Sequence, residues 1–146
     1  MRSATVDAGV ERVAGVGAGL VVLLGVGASD RAEDGERLAR KIADLRIFAD
    51  DLGRLQRSVI DVGGEVLAVP QFTLYGDVSR GRRPDFTTAA GPEVGRRLYD
   101  AFCGALRGTG VTVAMGRFGA SMRVLIEADG PLTIVVSTDN WREAEL

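Results

Sequence analysis

The amino-acid sequence predicts a single compact α/β domain: a mainly β framework, either a sheet or a partly open barrel, carrying two helices. Three observations predict it. At 146 residues the chain has the length of one core and is short for two. Its 46% hydrophobic and 26% charged content is that of an ordinary globular domain, not a disordered one. Short Val-rich runs outnumber helical patterns, and only two stretches repeat apolar residues at spacings of three and four.

Residues 3–6 and 10–14 read as two short strands joined by the turn Asp7-Ala8-Gly9. Gly15-Val16-Gly17-Ala18-Gly19 precedes a strand, so it fails as a dinucleotide-binding loop and reads as a hairpin turn. The continuous run 19–26 (GLVVLLGV) suits a strand buried on both faces. Asp30-Arg31-Ala32-Glu33 has the form of an acidic capping box, and Leu38, Ile42 and Leu45 follow on one helical face. Glu33, Asp34 and Glu36 sit near that helix start, where the dipole favours carboxylates without any catalytic role. Arg46-Ile47-Phe48 reads as a short strand, broken by the turn Asp50-Asp51-Leu52-Gly53. Residues 64–69 form another core strand, which ends, bulges or lies at an edge at Pro70 because proline cannot donate to a ladder.

Residues 76–90 are a long polar loop punctuated by Gly and Pro, of a kind that usually carries function. Pro92 opens the second helix, Val94, Leu98, Phe102 and Ala105 form its apolar face, and Gly108 and Gly110 stop it. Strands at 111–115, 121–127 and 132–137 follow, the last two separated by Asp129-Gly130-Pro131. The domain is expected to span 1–138, with a polar tail at 139–146.

The scarce residues decide which chemistry is open. There is no histidine, which excludes a Ser-His-Asp triad, a Cys-His pair and any His-ligated metal site. Cys103 is the single cysteine, so a disulfide framework, zinc cluster or CxxC pair is excluded, and no metal or cofactor is expected. No apolar run reaches the roughly 18 residues of a bilayer span, and no signal pattern opens the chain, so a soluble cytoplasmic protein is expected. The formal charge of −2 offers no general attraction for nucleic acid. Residues 54–107 nevertheless carry +2, with Arg80, Arg82 and Arg83 as the focus. Such clusters are more often solvated loop than binding site. Seventeen of the 18 basic residues are arginine, which suits bidentate phosphate contacts but also follows from genomic base composition.

Two segments resist a purely structural account. Pro70-Gln71-Phe72-Thr73-Leu74 places polar residues at the end of a buried strand. Ile126 to Thr133 places an X-Pro bond, the cheap location for a cis peptide, at a strand junction. Taken alone, Thr73 reads as a strand residue and Gly130-Pro131 as a turn.

Taken in order, GLVVLLGV, RIFAD, DVGGEVLAV, PQFTLYGD, SRGRRPDF, GRFGASM and DGPLTI resemble the D-aminoacyl-tRNA deacylase family, from about Ser3 to Val136. The resemblance implies a homodimeric hydrolase that cleaves the ester joining a D-amino acid, or glycine, to tRNA. Gln71, Phe72 and Thr73 match the family's Gln-Phe-Thr core, which lines the reaction centre. Gly130 and Pro131 match its Gly-cisPro pair, which enters the partner subunit's pocket, holds the substrate α-amino group through backbone carbonyls and collides with an L side chain. Arg80, Arg82, Arg83 and Phe86 fall in the segment implied to meet the tRNA acceptor end. Met122 matches a methionine implied at the terminal adenosine, and a core position suits it equally.

An aminoacyl ester is already activated, so a site without histidine need supply only geometry and oxyanion donors. N–H groups near Phe72 and Thr73 would serve, one such donor being worth about 3 kcal/mol. Thr73 has no base to make it a nucleophile, so positioning is its expected role, with Gln71 shaping the pocket. The chain also departs from the pattern of the family it resembles. Pro70 stands where the family has serine; a branch that removes L-alanine from tRNA shares the Pro-Gln opening but has alanine where this chain has Phe72. Ala128 replaces an asparagine, Ser121 an aspartate, and Gln56 stands near a usual asparagine. The family's first strand, with an arginine that orients the Gly-Pro loop, is expected to be missing before Ser3. The alternatives are therefore an editing deacylase for a small L-amino acid and a catalytically impaired RNA-binding homologue.

Overall fold

Val66 and Ala68 pack toward one layer, Leu67 and Val69 toward another, and all four are buried. That alternation makes their strand the middle of a three-layer domain. The computed structural model describes residues 1–141. Its strands are β1 (Ser3–Ala8), β2 (Glu11–Val16), β3 (Gly19–Leu24), β4 (Phe48–Ala49), β5 (Leu55–Arg57), β6 (Glu65–Pro70), β7 (Thr112–Met115) and β8 (Arg123–Glu127). Its helices are α1 (Ala32–Asp44) and α2 (Pro92–Gly108), with 3₁₀ turns at Phe72–Tyr75 and Thr138–Asn140.

Among the described residues three sheets form, and none closes into a barrel: β2-β1-β8 antiparallel, β3-β6-β7 parallel and the small ribbon β4-β5. Val66 and Ala68 of β6 face the helices, joining Leu24, Ile42, Tyr99, Phe102 and Leu106. Leu67 and Val69 face the antiparallel sheet, joining Ala4, Val6 and Val16. Parallel pairing requires crossovers, and the segments holding α1 and α2 supply them.

Several local expectations shift. Glycines 15–19 do not make a hairpin, because β2 and β3 lie in different sheets. Gly19 instead crosses against Glu65, at φ +154°, where a Cβ would fall 1.8 Å from the Glu65 carbonyl oxygen. The run 19–26 is not covered on both faces: β6 took the central place, β3 lies at the edge, and Leu23 is 45% exposed. The α1 cap moves by one residue. Arg31 is the N-cap and its N–H donates to the Asp34 carboxylate (2.8 Å), while Asp30 accepts from the Gly27 N–H (2.7 Å). Leu45 lies one residue beyond the helix. On α2 the buried face is Gly95, Leu98, Tyr99, Phe102, Cys103 and Leu106, which leaves Val94 exposed.

The expected strand at 132–137 does not form. No neighbour offers it a ladder among the described residues, and Leu132, Ile134 and Val135 are exposed. β5 and both 3₁₀ turns went unforeseen. The expected tail opens with the turn Thr138–Asn140 and Trp141, whose ring lies 5.8 Å from the Arg37 guanidinium and 5.6 Å from the Lys41 ammonium. The rest of the tail, 142–146, lies outside the described residues.

Candidate active site

β6 delivers the candidate site. The strand ends in register with Leu24 at Pro70, and the Gln71 N–H donates to the Leu24 carbonyl (2.8 Å) as the last rung. The backbone then tightens into the 3₁₀ turn, in which the Leu74 N–H donates to the Gln71 carbonyl (3.3 Å). The first amides of such a turn have no partner within it. The N–H groups of Phe72 and Thr73 are thus the donors this turn leaves over. Gln71 Nε2 donates to the Thr73 hydroxyl oxygen, which fixes both side chains and leaves the threonine O–H able to donate outward.

Phe72 is 58% exposed, and its ring meets Phe86 edge to face with centroids 5.2 Å apart. Phe86 stands at the stem of the basic loop. Reciprocal backbone bonds between Asp77 and Asp85 (2.7 and 2.9 Å) pinch that loop closed. Arg80, Arg82 and Arg83 are all exposed on the excursion between them. Hydrogen bonds from Ser79 hold the Asp77 carboxyl below its ordinary pKa, and those from Thr87 do the same for Asp85. Two anions therefore brace the stem beneath three cations.

Met122 is half-buried and packs with the core layer between the two sheets. Its sulfur would lie 3.1 Å from a Cβ on Gly116, and the Pro70 Cδ 3.4 Å from the same point, so Met122 borders the β6 end of the site. Gly130 and Pro131 are exposed and lie just beyond β8. Their peptide bond is cis, and Gly130 has φ +124°. A contact that sequence reasoning missed holds this segment: Arg2 Nε donates to Asp129 Oδ2 at 3.2 Å. The two residues are 127 positions apart, so no local pattern announces the pair. Ser121 is exposed, as are Ala128 and Gln56.

Behind the turn lies a cavity of about 80 Å³ lined by Leu24, Gly25, Asp30, Tyr75, Phe102 and Thr138, among others. It backs the turn and is not lined by Gln71, Phe72 or Thr73. Burial, followed by the charges of Asp30 and Asp139, pushes the Tyr75 phenol up to about 12. Among the described residues no cluster of His, Cys, Asp and Glu could hold a metal, and no helix is long and apolar enough to cross a membrane.

The family model described as D-Tyr-tRNA(Tyr) deacylase matches residues 1–137. The D-aminoacyl-tRNA deacylase of Roseiflexus sp. (strain RS-1) is 52% identical over 140 residues, covering 96% of this chain and 90% of that one. The D-aminoacyl-tRNA deacylase of Thermus aquaticus is 50% identical over 137 residues, covering 94% and 90%. The solved structure of the c-Myc DNA Unwinding Element Binding Protein superposes with TM-score 0.86 at 39% identity, covering 93% of each chain. A probable eukaryotic D-amino acid tRNA deacylase shares the fold, with TM-score 0.74 at 20% identity over 87% of this chain and 90% of that one. Fold and relatives together define a hydrolase of the class that acts on aminoacyl-tRNA. Within that class, the chain belongs to the D-aminoacyl-tRNA deacylase family.

Proposed function

We propose that this protein releases D-amino acids, and glycine carried by the wrong tRNA, by hydrolysing the ester to the terminal ribose. The observation that carries the reading is the pair of amides at Phe72 and Thr73 that find no acceptor among the described residues, set beside the Gln71–Thr73 hydrogen bond at the end of the central strand. Water attacks the ester carbonyl, the two amides stabilise the oxyanion, and the carbon–oxygen bond to the ribose breaks. The attacking water passes a proton to the vicinal ribose hydroxyl, which gives its own to the leaving oxygen, so the protein needs no general base. The Phe72–Phe86 pair forms an apolar wall for the substrate, and Met122 meets the terminal adenosine. Arg80, Arg82 and Arg83 pair with phosphates near the acceptor end.

Selection against L substrates falls to Gly130-Pro131, which acts across a homodimer in the cytoplasm. Leu125, Ile126, Leu132, Ile134 and Val135 are exposed around it, with Val135 at 93%, and this apolar band supports burial against a second copy. The dipeptide would then enter the partner's pocket and hold the α-amino group by its carbonyls. Deacylation of D-Tyr-tRNA and Gly-tRNA with sparing of L-Tyr-tRNA is the expected result. Release from L-Ala-tRNA alone would move the assignment to small L-amino acids, and release from none would leave an RNA-binding homologue. A chain that sediments as a monomer would overturn the dimeric selection step. Gly130→Ala, which forces a side chain into φ +124° with its Cβ 3.2 Å from the Leu132 nitrogen, is expected to narrow the D-over-L preference.

A further inference from the structure

Tyr75 ends the 3₁₀ turn that begins at Phe72, and its ring passes close to the backbone of Gly25 and Gly27. A Cβ on Gly25 would meet the Tyr75 ring at 3.1 Å and the Leu74 Cβ at 3.2 Å. A Cβ on Gly27 would meet Tyr75 first, with its hydroxyl oxygen at 2.7 Å and two ring carbons at 3.0 and 3.2 Å. The linker after β3 is therefore glycine at the positions where this ring passes. The slot is also tied down by hydrogen bonds. Asp30 accepts from the Gly27 N–H (2.7 Å), the Ala28 N–H donates to Thr88 (2.9 Å) and the Ala90 N–H donates to Val26 (2.9 Å). The walls are thereby tied both to the start of α1 and to the segment just beyond the basic loop.

We infer that Tyr75 is a positioning residue, whose ring seated between Gly25 and Gly27 sets the angle at which the turn presents the Phe72 and Thr73 amides. The inference rests on the proposed use of those amides as oxyanion donors. The ring touches no reacting atom. It acts through the turn, so its effect falls on kcat and not on KM.

The test uses Tyr75→Phe, Tyr75→Leu, Gly27→Ala and the Gly27→Ala/Tyr75→Leu double variant of the full chain. Misplacement of a catalytic group by about an ångström can cost on the order of 100-fold. Tyr75→Leu and Gly27→Ala are each expected to lower kcat for D-Tyr-tRNA by at least about tenfold, with KM within about twofold. Tyr75→Phe, which keeps the ring, should restore kcat to within about threefold of the parent. Because Tyr75 supplies the three atoms nearest a Cβ on Gly27, substitution there should cost little further once Tyr75 is leucine, a non-additivity that a general loss of stability does not give. Amide ¹H–¹⁵N shifts of Phe72 and Thr73 report the turn independently of catalysis. They should move in Tyr75→Leu and Gly27→Ala and stay in Tyr75→Phe. Unmoved amides with unchanged kcat, or additive losses in the double variant, would overturn the inference. A parent chain that deacylates nothing would sink the proposed function instead, while the amide shifts would still decide whether Tyr75 sets the turn.

Discussion

Replacing Thr73 by alanine separates two mechanisms by a wide margin. The change removes one exposed hydroxyl, which accepts from Gln71 and can donate once outward, and leaves the Phe72 and Thr73 amides in the chain. A neutral hydrogen bond contributes about 0.5–1.5 kcal/mol, and a tenfold rate change corresponds to about 1.4 kcal/mol. Turnover of D-Tyr-tRNA by Thr73→Ala should therefore fall by roughly 2- to 13-fold. Loss of a true nucleophile would cost on the order of a millionfold. Stability should change by less than about 0.5 kcal/mol, because the side chain is exposed. Single-turnover release of labelled amino acid gives the rate, and mass spectrometry of the quenched protein seeks an acylated threonine. A fall beyond about 10⁴-fold, or an aminoacyl adduct on Thr73, would refute positioning as its role and reinstate covalent catalysis.

Three further outcomes follow from the same geometry. The buried Tyr99 hydroxyl is shared between the carbonyl oxygens of Ala68 (2.8 Å) and Gly116 (3.3 Å), and Ala68 also accepts from the Gly116 N–H (2.8 Å). Tyr99→Phe thus deprives chiefly Gly116, and should cost about 1–2 kcal/mol, read as a lower urea midpoint at unchanged slope. Replacing Arg80, Arg82 and Arg83 by glutamine should reduce the log–log salt slope of tRNA binding by about 2, at roughly 0.7 per single-strand phosphate contact; an unchanged slope would remove the loop from the interface. Burial raises Cys103 from about 9 to about 11 and Tyr75 from about 10 to about 12, and raises Tyr99 as well. The native state keeps these protons while the unfolded chain loses them, so their contribution to stability is complete below pH 9 and declines as pH rises toward about 11 and 12. Urea midpoints measured from pH 8 to 11 should fall, and Tyr75→Phe should fall less steeply than the parent.

The layers were legible and their seams were not. An unbroken apolar segment such as 64–69 announces a core strand, and spacings of three and four announce α1 and α2, because burial acts through local periodicity. Which of two apolar runs takes the central place depends on what packs outside each, so β3 read as fully buried when it is an edge. The cap at Arg31 slipped by one because Asp30 and Asp34 flank it and both can accept, leaving the choice to tertiary contacts such as the Asp30 bond to Gly27. At the site, Gln71, Phe72 and Thr73 stood out only as polar residues after a strand, until the order of several segments resembled a family. The 3₁₀ turn itself leaves no periodic mark in four residues, and neither the Tyr75 slot nor the Arg2–Asp129 pair has a local signature.

A site built on main-chain donors should tolerate substitution in an unusual pattern. Side-chain groups at Gln71 and Thr73 hydrogen-bond one another and can be trimmed at the cost of single neutral bonds. Backbone paths have no such gradation. Gly19 passes 1.8 Å (as a hypothetical Cβ) from Glu65, Gly27 confronts Tyr75 at 2.7 Å, and Gly130 holds φ +124°. An added methyl at any of them must move main chain or a seated ring. Alanine at these three glycines, none of which bears a reactive group, should therefore impair turnover or selectivity more than alanine at Gln71 or Thr73. In an enzyme that relied on a side-chain nucleophile or base, the order would be the reverse. The ranking of those five variants, by turnover of D-Tyr-tRNA and by its ratio to that of L-Tyr-tRNA, thus tests whether the peptide backbone, and not any side chain, carries the chemistry here.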